Sequence, residues 1–502
     1  MNTTNGKKTI IIGAGFGGLS AAAYLARDGY DVTVIEKNSW TGGRAQVVEF
    51  RGYRFDMGPS WYWMPEEHDR WFSDLGFNRK DFYDITRVDP SYTVFFGTGA
   101  SGDERRRIDV PADFDAACEV FDKTSKGAGE QLRRYIAQCG RKYRFAMDNF
   151  IYKNYRRVFD FINITSLKNL PTLNIFSNYR NMIRRYITHP DLQKILEFPV
   201  VFLGSSARKT PAMYTLMNHI DFTLGTWYPD GGFSGVAEAM YKVCTKLGVK
   251  FRFETEVSEL KNDGKRVTRV RVEPDGEEIE CDFVVANADY PHVELSLLNN
   301  EVRSITETGW RKKSLAPSVI NYYVALDRTL DGLAHHTFFF DSDWDEHFDA
   351  VYGKPRWIER PLFYIHVPSV TDPHVAPEGG EVLYILIPSG CGLSTSPELR
   401  ETYFRQIISR MEEHTGMDIH SHILEYRSYS LEDFTADYKA FQGTAFGLGQ
   451  TMLQTAYFRP PNKSKRLSNL YYTGHYTVPG TGTTMSTISG RVVSQRLKEE
   501  HG

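Results

Sequence analysis

A strand–glycine–helix–strand pattern at residues 9–36 constrains the fold of this chain more than any other part of its sequence. An apolar strand runs into Gly13-x-Gly15-x-x-Gly18, an alanine-rich stretch follows, and a second apolar strand ends at Glu36. In a dinucleotide-binding unit, these glycines permit a tight turn, a close approach of the backbone to a pyrophosphate, and close packing of helix on strand. The helix N-terminus offers free N–H groups to the anion, and the acid accepts hydrogen bonds from ribose hydroxyls. The predicted contacts of this unit are Gly13, Ala14, Gly15, Phe16, Gly17, Gly18, Glu36 and Lys37.

An ordinary strand–turn–helix is the alternative interpretation, and the chain offers a useful comparison. Residues 97–102 also read Gly-x-Gly-x-x-Gly after an apolar run, but a charged segment and then Pro111 follow in place of an apolar helix face. This second match predicts a hairpin turn with permissive glycines. Only the first match has strand, glycines, helix, strand and acid in register, so we assign the nucleotide site to it alone.

Composition excludes several classes of function. With 502 residues and 41% hydrophobic content, the chain can bury more than one core, so two or three domains are expected. The 60 basic and 63 acidic residues are interspersed, which indicates no nucleic-acid partner. Five scattered cysteines without CxxC pairs indicate reduced thiols in a cytoplasmic protein. The sequence contains no zinc-type spacing, so no metal site is predicted from it.

Two observations concern membranes. No apolar run approaches the roughly 20 residues that span a bilayer, and the N-terminus lacks the apolar core of a signal peptide, so no export is expected. Residues 149–187 are rich in aromatic and basic side chains, with Asp160 as their single acid. Apolar residues at helical spacing with a basic opposite face suit an interfacial helix on an anionic membrane. A helix packed on the core with a solvated basic face is the alternative, and residue patterns by themselves favour it.

Further segments carry residues typical of a cofactor site. The turn Gly42-Gly43-Arg44 places a guanidinium where it can form charge-assisted hydrogen bonds with a pyrophosphate, although a surface turn with a solvated arginine is the alternative. The rigid turn Gly58-Pro59-Ser60 can face a cofactor ring. A buried strand ends in Asn287 and Asp289, at the edge where doubly wound sheets bind ligands, though both also suit an ordinary turn. A glycine-rich loop at 479–484 precedes a helix and suits a phosphate or a flavin edge.

Taken together, these segments resemble the bacterial and fungal carotenoid desaturases, the phytoene desaturase-type flavoenzymes of the amine-oxidase and glutathione-reductase-like superfamily. The likeness covers nearly the whole chain. The N-terminal unit is common to the superfamily, whereas residues 225–232 (Gly-Thr-Trp-Tyr-Pro-Asp-Gly-Gly) and 454–460 (Gln-Thr-Ala-Tyr-Phe-Arg-Pro) are more specific to the desaturases.

The resemblance implies FAD as cofactor and an α/β fold with three parts. These are a discontinuous Rossmann-like FAD-binding domain, a mixed-sheet substrate domain and a helical membrane-associating subdomain. The FAD-binding domain is expected at 1–70, 229–292 and 456–502, the substrate domain at 71–144 and 293–455, and the helical region at 145–228. The cofactor contacts implied outside the N-terminal unit are Gly43, Arg44, Gly58, Pro59, Ser60, Val257, Asn287, Asp289, Gly474, Gly482, Thr484 and Met485.

The implied activity is the insertion of C=C bonds into an acyclic C40 carotenoid, with oxygen or a quinone as electron acceptor. The implied location is cytoplasmic, at the inner face of a membrane that supplies the carotenoid. No acid–base pair stands out in the sequence, and Asp148 is the one candidate catalytic residue. The terminal loop departs from the family's Gly-Ala-Gly-Thr-His-Pro-Gly pattern, because His475 and Tyr476 follow Gly474 and Val478 stands at the usual histidine. This departure favours a modified substrate, such as a 1'-hydroxylated carotenoid, over phytoene.

Three alternatives remain open on the sequence. An amine or protoporphyrinogen oxidase would share the N-terminal unit but should lack the 225–232 and 454–460 motifs. A saturase acting on carotenoids or retinoids would run the chemistry in reverse. A prenyl-lipid escort on the same fold would bind no flavin, and the retained glycines and Glu36 argue against it.

Overall fold

The structure, a computed structural model, describes residues 6–155, 174 and 177–502. Its strands are β1 Lys8–Ile12, β2 Asp31–Ile35, β3 Val47–Phe50, β4 Tyr53–Asp56, β5 Ile85–Arg87, β6 Tyr92–Phe96, β7 Arg106–Val110, β8 Trp227–Pro229, β9 Lys250–Arg252, β10 Glu256–Asn262, β11 Val267–Glu273, β12 Glu278–Glu280, β13 Phe283–Ala286, β14 Ser318–Leu326, β15 His336–Phe340, β16 Phe363–His366, β17 Glu381–Ser389, β18 Ile423–Tyr429 and β19 Leu470–Tyr472. Its α-helices are α1 Phe16–Arg27, α2 Pro65–Asp74, α3 Phe114–Thr124, α4 Ala128–Ala146, α5 Tyr179–Arg184, α6 Pro190–Glu197, α7 Leu216–His219, α8 Gly232–Lys246, α9 Tyr290–His292, α10 Glu307–Arg311, α11 Trp344–Tyr352, α12 Pro397–Thr415, α13 Leu431–Tyr438 and α14 Thr483–His501.

A five-stranded parallel sheet, in the order β19-β13-β1-β2-β9, lies at the dinucleotide end of the molecule. Its strands come from the beginning, the middle and the end of the chain. Central strand β1 is a run of isoleucines buried on both faces, as parallel sheets covered by helices require. The helices α1 and α14 pack so closely that a Cβ at Gly490 would lie 2.5 Å from the carbonyl oxygen of Gly17.

The second large sheet is mixed and has seven strands, in the order β18-β14-β17-β16-β15-β6-β7. Only β15 and β6 pair in parallel, and the other neighbours are antiparallel. The second Gly-x-Gly-x-x-Gly match lies in the turn between β6 and β7, where a hairpin was predicted. The predicted α/β fold, with a discontinuous parallel sheet and a separate mixed sheet, is confirmed. The division into domains with the boundaries given above stays a prediction.

Residues of the helices α3 to α7 pack in one hydrophobic cluster with residues of β6, β7, β14 and β17 of the mixed sheet. The stretch predicted to be amphipathic is described only in part, because residues 156–173 and 175–176, including Arg156 and Arg157, lie outside the described residues. In the described part, Met182 and Ile183 of α5 are buried in the core. Arg180 is also buried and forms ion pairs with Glu197 and Asp345, at 2.8 and 2.7 Å, so it does not belong to a solvated basic face.

The membrane-associating role of this region stays a prediction. Across the described ranges 6–155 and 177–502, no helix is long and apolar enough to cross a bilayer.

Candidate functional site

A cavity of about 500 Å³ reaches from the glycine loop of β1–α1 to the inner face of the mixed sheet. Most of the residues predicted to bind the cofactor line it. These are Gly13, Gly15, Phe16, Gly17, Glu36, Lys37, Gly43, Arg44, Gly58, Pro59, Ser60, Val257, Asn287, Asp289, Gly474, Gly482, Thr484 and Met485. Ala14 and Gly18 do not line the cavity, and both instead shape the loop beneath it.

Glu36 is held in place at the carboxyl end of β2. Its Oε2 accepts a hydrogen bond from the N–H of Ala14 at 2.7 Å, and its Oε1 accepts one from the N–H of Asn38 at 2.9 Å. Burial raises the pKa of the Glu36 carboxyl, while these two N–H groups act in the opposite direction. The carboxylate therefore stands at the cavity wall in a fixed orientation, with further lone pairs able to accept hydrogen bonds from a ligand's hydroxyl groups.

The glycine loop leaves no room for side chains. A Cβ at Gly18 would lie 2.1 Å from the carbonyl oxygen of Gly13, so the close packing of α1 on β1 depends on that glycine. Gly13 itself has φ +95°, in the left-handed region that glycine tolerates best. Cβ atoms at Gly15 and Gly17 would lie 2.8 and 2.6 Å from the side chain of Asn287. Asn287 therefore packs beneath the glycine loop and supports it. This contact is in addition to the turn-forming role that the sequence suggested for Asn287.

Arg44 and His475 both line the cavity. Arg44 Nη2 donates to the carbonyl oxygen of Thr444 at 3.3 Å, and its guanidinium lies 5.2 Å from the ring centre of Tyr438. Arg44 Nε has no partner within the described residues. His475 lines the cavity beside Gly474, and its buried Nε2 is likewise unpaired in the described part of the chain. Burial, with Arg44 and Arg459 nearby, lowers the pKa of His475 far below its usual range, so the ring is neutral.

The terminal loop is joined to the rest of the site by buried hydrogen bonds. Asp289 Oδ2 accepts from the hydroxyl of Tyr476 at 3.0 Å, and burial raises the pKa of Asp289 to about 6. Arg459 is buried and donates to the carbonyl oxygens of Thr477 and His475 at 3.0 and 2.5 Å. Burial lowers the pKa of Arg459 to about 10, so the guanidinium remains charged at neutral pH.

The pattern shared by the flavin-containing amine oxidoreductases matches residues 16–498. The chain belongs to this family. It is 38% identical over 503 residues to a carotenoid 3,4-desaturase of Haloarcula japonica, with 100% of both chains covered. It is 30% identical over 504 residues to a zeta-carotene-forming phytoene desaturase of Myxococcus xanthus, covering 99% of this chain and 94% of the relative.

The fold of this chain is similar to that of a solved structure. An oxidoreductase of Methanosarcina mazei is similar with a TM-score of 0.62 at 18% identity, covering 97% of this chain and 100% of that one. Family membership confirms the predicted flavin cofactor and the predicted oxidoreductase class. The two relatives confirm the resemblance to the carotenoid desaturases.

The residues at the dinucleotide end fit FAD. A glycine cradle leads into the N-terminus of α1, a buried carboxylate stands at the end of β2, and Arg44 and His475 are among the residues that line the space between. Glu36 suits the ribose hydroxyls, and the N–H groups of Gly15 to Gly17 and the guanidinium of Arg44 suit the pyrophosphate. His475 was noted in the sequence only as a departure from the family loop, and its place in the cavity lining adds it to the candidate contacts. These individual contacts stay predictions.

The remainder of the cavity is mainly apolar. Its walls include Phe338 and Phe340 of β15, Trp344 and Phe348 of α11, and Leu386 of β17. Asp148, the candidate catalytic residue, does not line this cavity and is exposed on the short turn Met147–Ile151 that follows α4. The neighbouring residues Met147 and Phe150 do line the cavity. A catalytic role for Asp148 stays a prediction.

Three buried histidines meet behind the cavity wall, although no metal-type spacing exists in the sequence. Nitrogens of His335, His336 and His366 lie within 4.8 Å of one another. His335 Nε2 and His366 Nε2 are paired at 3.0 Å, and His336 Nδ1 is paired with the hydroxyl of Tyr364 at 2.6 Å. His336 Nε2 has no partner within the described residues, but His335 and His366 already pair with each other, and we assign no ion to the cluster. Sequence spacing missed it because the strands β15 and β16 bring the three residues together.

Proposed function

We propose that this flavoenzyme is an FAD-dependent carotenoid desaturase that introduces C=C bonds into an acyclic C40 carotenoid. The observation that carries the proposal is the continuity of one cavity from the glycine cradle into a large apolar chamber. A long polyene requires such a chamber, because its transfer from lipid to a polar site would be unfavourable. Full-length identity of 38% to a carotenoid 3,4-desaturase supports the same substrate class, either phytoene-type or 1'-hydroxylated.

The protein's own residues bind, orient and exclude water. Aromatic side chains such as Phe338, Trp344 and Phe348 hold the polyene in one plane and keep solvent from the reacting bond. When bound, FAD supplies the acceptor for the hydride that one carbon loses while its neighbour loses a proton. Oxygen or a quinone is the expected final electron acceptor. The proton is expected to leave to solvent outside the chamber, so no dedicated base is assigned.

The decisive experiment follows the flavin absorbance of the purified protein without oxygen. Liposomes carrying phytoene are added to one sample, and liposomes carrying a 1'-hydroxylated acyclic carotenoid to another. We expect bleaching of the flavin together with a red shift of the polyene absorbance in at least one sample. A flavin that neither polyene reduces would contradict desaturation, and a protein without flavin would favour a lipid escort.

We further propose that the protein collects its substrate at a membrane surface through the segment 451–458, which is called here the docking loop. Met452, Leu453 and Phe458 are 54%, 77% and 48% exposed, although each is large and apolar. Thr455 and Ala456 of the same loop line the cavity. Gln454 exchanges two hydrogen bonds with the backbone of Ser314, at 2.9 and 2.8 Å, which places Lys312 and Lys313 beside the loop. Apolar tips flanked by lysines suit an anionic lipid surface.

Replacing Met452, Leu453 and Phe458 together with serine is expected to reduce flotation with anionic liposomes. Burying one such side chain contributes about 1.5–3 kcal/mol, so we expect the partition coefficient to fall by roughly tenfold or more. The matched control replaces Val370 and Leu424, which are also exposed and apolar but lie elsewhere, and should leave flotation unchanged. Equal flotation of the triple variant and the parent protein would refute the docking loop.

A further inference from the structure

The docking loop separates the cavity from the surface of the molecule. Leu453 and Phe458 are 77% and 48% exposed and do not line the cavity, whereas Thr455 and Ala456, which lie between them in the chain, do line it. The loop is therefore a thin part of the cavity wall, with its apolar tips outside and the chamber directly behind it.

One side-chain contact joins this part of the wall to the segment that faces it. Thr455 Oγ1 is hydrogen-bonded to the hydroxyl of Tyr214, and both residues line the cavity. Tyr214 donates in turn to Gln450 Oε1 at 3.2 Å, and this oxygen also accepts from Arg459 Nη1 at 2.8 Å. Tyr214 is thus anchored on the buried hydrogen bonds of the terminal loop.

The docking-loop side of the contact has few other restraints. In the part of the chain that the structure describes, the bond to Tyr214 is the one hydrogen bond that joins residues 455–458 to another segment. Ala456 has φ +47°, in the left-handed region that is unfavourable for a residue with a Cβ. The closed wall is therefore held by one hydrogen bond and opposed by backbone strain at the neighbouring residue.

The cavity wall behind this contact is apolar. Met213, Leu216 and Met217 line the cavity on the same side as Tyr214. Methionine side chains adapt to irregular shapes, so they can pack against a polyene that moves past them. Separation of Thr455 from Tyr214 would thus connect the exposed tips of the docking loop with an apolar path into the chamber.

We propose that the polyene enters the chamber between the docking loop and Tyr214, and that the hydrogen bond between Thr455 and Tyr214 closes this entrance. The inference rests on the proposed function and extends the docking loop from a membrane contact to the entry site itself. Neither residue takes part in the oxidation, because both act on the passage of the ligand.

Two substitutions remove the contact from its two sides. Thr455→Val removes one hydroxyl and keeps the shape of the side chain, and Tyr214→Phe removes the other hydroxyl. The purified flavoprotein is mixed without oxygen with anionic liposomes that carry an acyclic polyene whose absorbance overlaps tryptophan emission. Quenching of Trp61 and Trp63, which line the cavity, reports uptake, and protein loaded with the polyene and mixed with empty liposomes reports release.

Both variants are expected to accelerate uptake and release by roughly fivefold, the effect of one net hydrogen bond. The Kd for the polyene should stay unchanged, because the contact closes the chamber whether or not it holds a ligand. The double variant should be no faster than the faster single variant, since both substitutions remove the same bond. As a matched control, Thr435→Val removes a hydroxyl that donates to the carbonyl oxygen of Leu431 outside the cavity, and both rates should remain those of the parent protein.

Unchanged rates in both single variants, or a changed Kd at unchanged rates, would overturn the inference. A parallel change in the flotation of Thr455→Val would also overturn it, because the effect would then lie in the membrane contact. If the polyene does not reduce the flavin, the proposed function fails, and the rates of uptake and release still decide the entrance. Thr455→Val decides it by itself if Tyr214→Phe does not fold.

Discussion

Glu36→Ala is expected to yield a folded protein that has lost most of its FAD. The carboxylate accepts the N–H groups of Ala14 and Asn38 and lines the cavity where the ribose is expected. A hydrogen bond to a charged group contributes about 1.5–3 kcal/mol, so its removal should weaken FAD binding by roughly ten- to a hundredfold. The ratio of flavin to protein absorbance after purification, followed by titration of the apoprotein with FAD, measures the effect.

Two further variants serve as controls for the loss of FAD in Glu36→Ala. Glu36→Gln keeps the shape and one acceptor oxygen, so its affinity for FAD should lie between those of the parent protein and Glu36→Ala. Glu49→Ala removes a carboxylate whose side chain is 67% exposed and lies outside the cavity, so full occupancy is expected. Full flavin occupancy in Glu36→Ala would refute the assignment of Glu36 to the ribose.

Arg459→Met is expected to destabilise the terminal loop and, with it, the whole flavin end of the protein. Arg459 is 3% exposed and donates only to neutral oxygens of the described residues. Those oxygens belong to Leu448, Gln450, Gln454, His475 and Thr477. Methionine fills a similar volume but leaves these buried acceptors unpaired, so we expect a loss of about 3 kcal/mol or more in the free energy of unfolding. Urea denaturation, followed by flavin release and by circular dichroism, measures it.

The control for this prediction is Arg459→Lys. Lysine keeps the charge but cannot span five acceptors with one ammonium group, so an intermediate loss of stability is expected. Arg466→Met changes a neighbouring arginine for which no buried bond network is found in the described part of the chain, and it should be close to neutral. An Arg459→Met protein with unchanged stability would show that water replaces the guanidinium in this network.

Local sequence was sufficient wherever neighbouring residues set the geometry. The steric demands of Gly13 and Gly18, the burial of the isoleucine run and the acid at Glu36 all act within one βαβ unit. The same reasoning placed the second glycine match at 97–102 in a hairpin, because charged residues follow it. Asp148 shows the limit of this approach, since its position in the chain could not reveal that it is exposed outside the cavity.

By itself, the sequence determined the dinucleotide fold, the flavin cofactor through its family, and a set of candidate cofactor contacts, most of which line one cavity. These features depend on backbone sterics and on the periodicity of apolar residues, and both can be recognised within a short stretch of consecutive residues. Only the tertiary structure decided that Asn287 supports the glycine loop and that Arg459 holds the terminal loop. Each of these features depends on which side chains come into contact once segments distant in the sequence have packed together. A local sequence pattern does not predict those contacts.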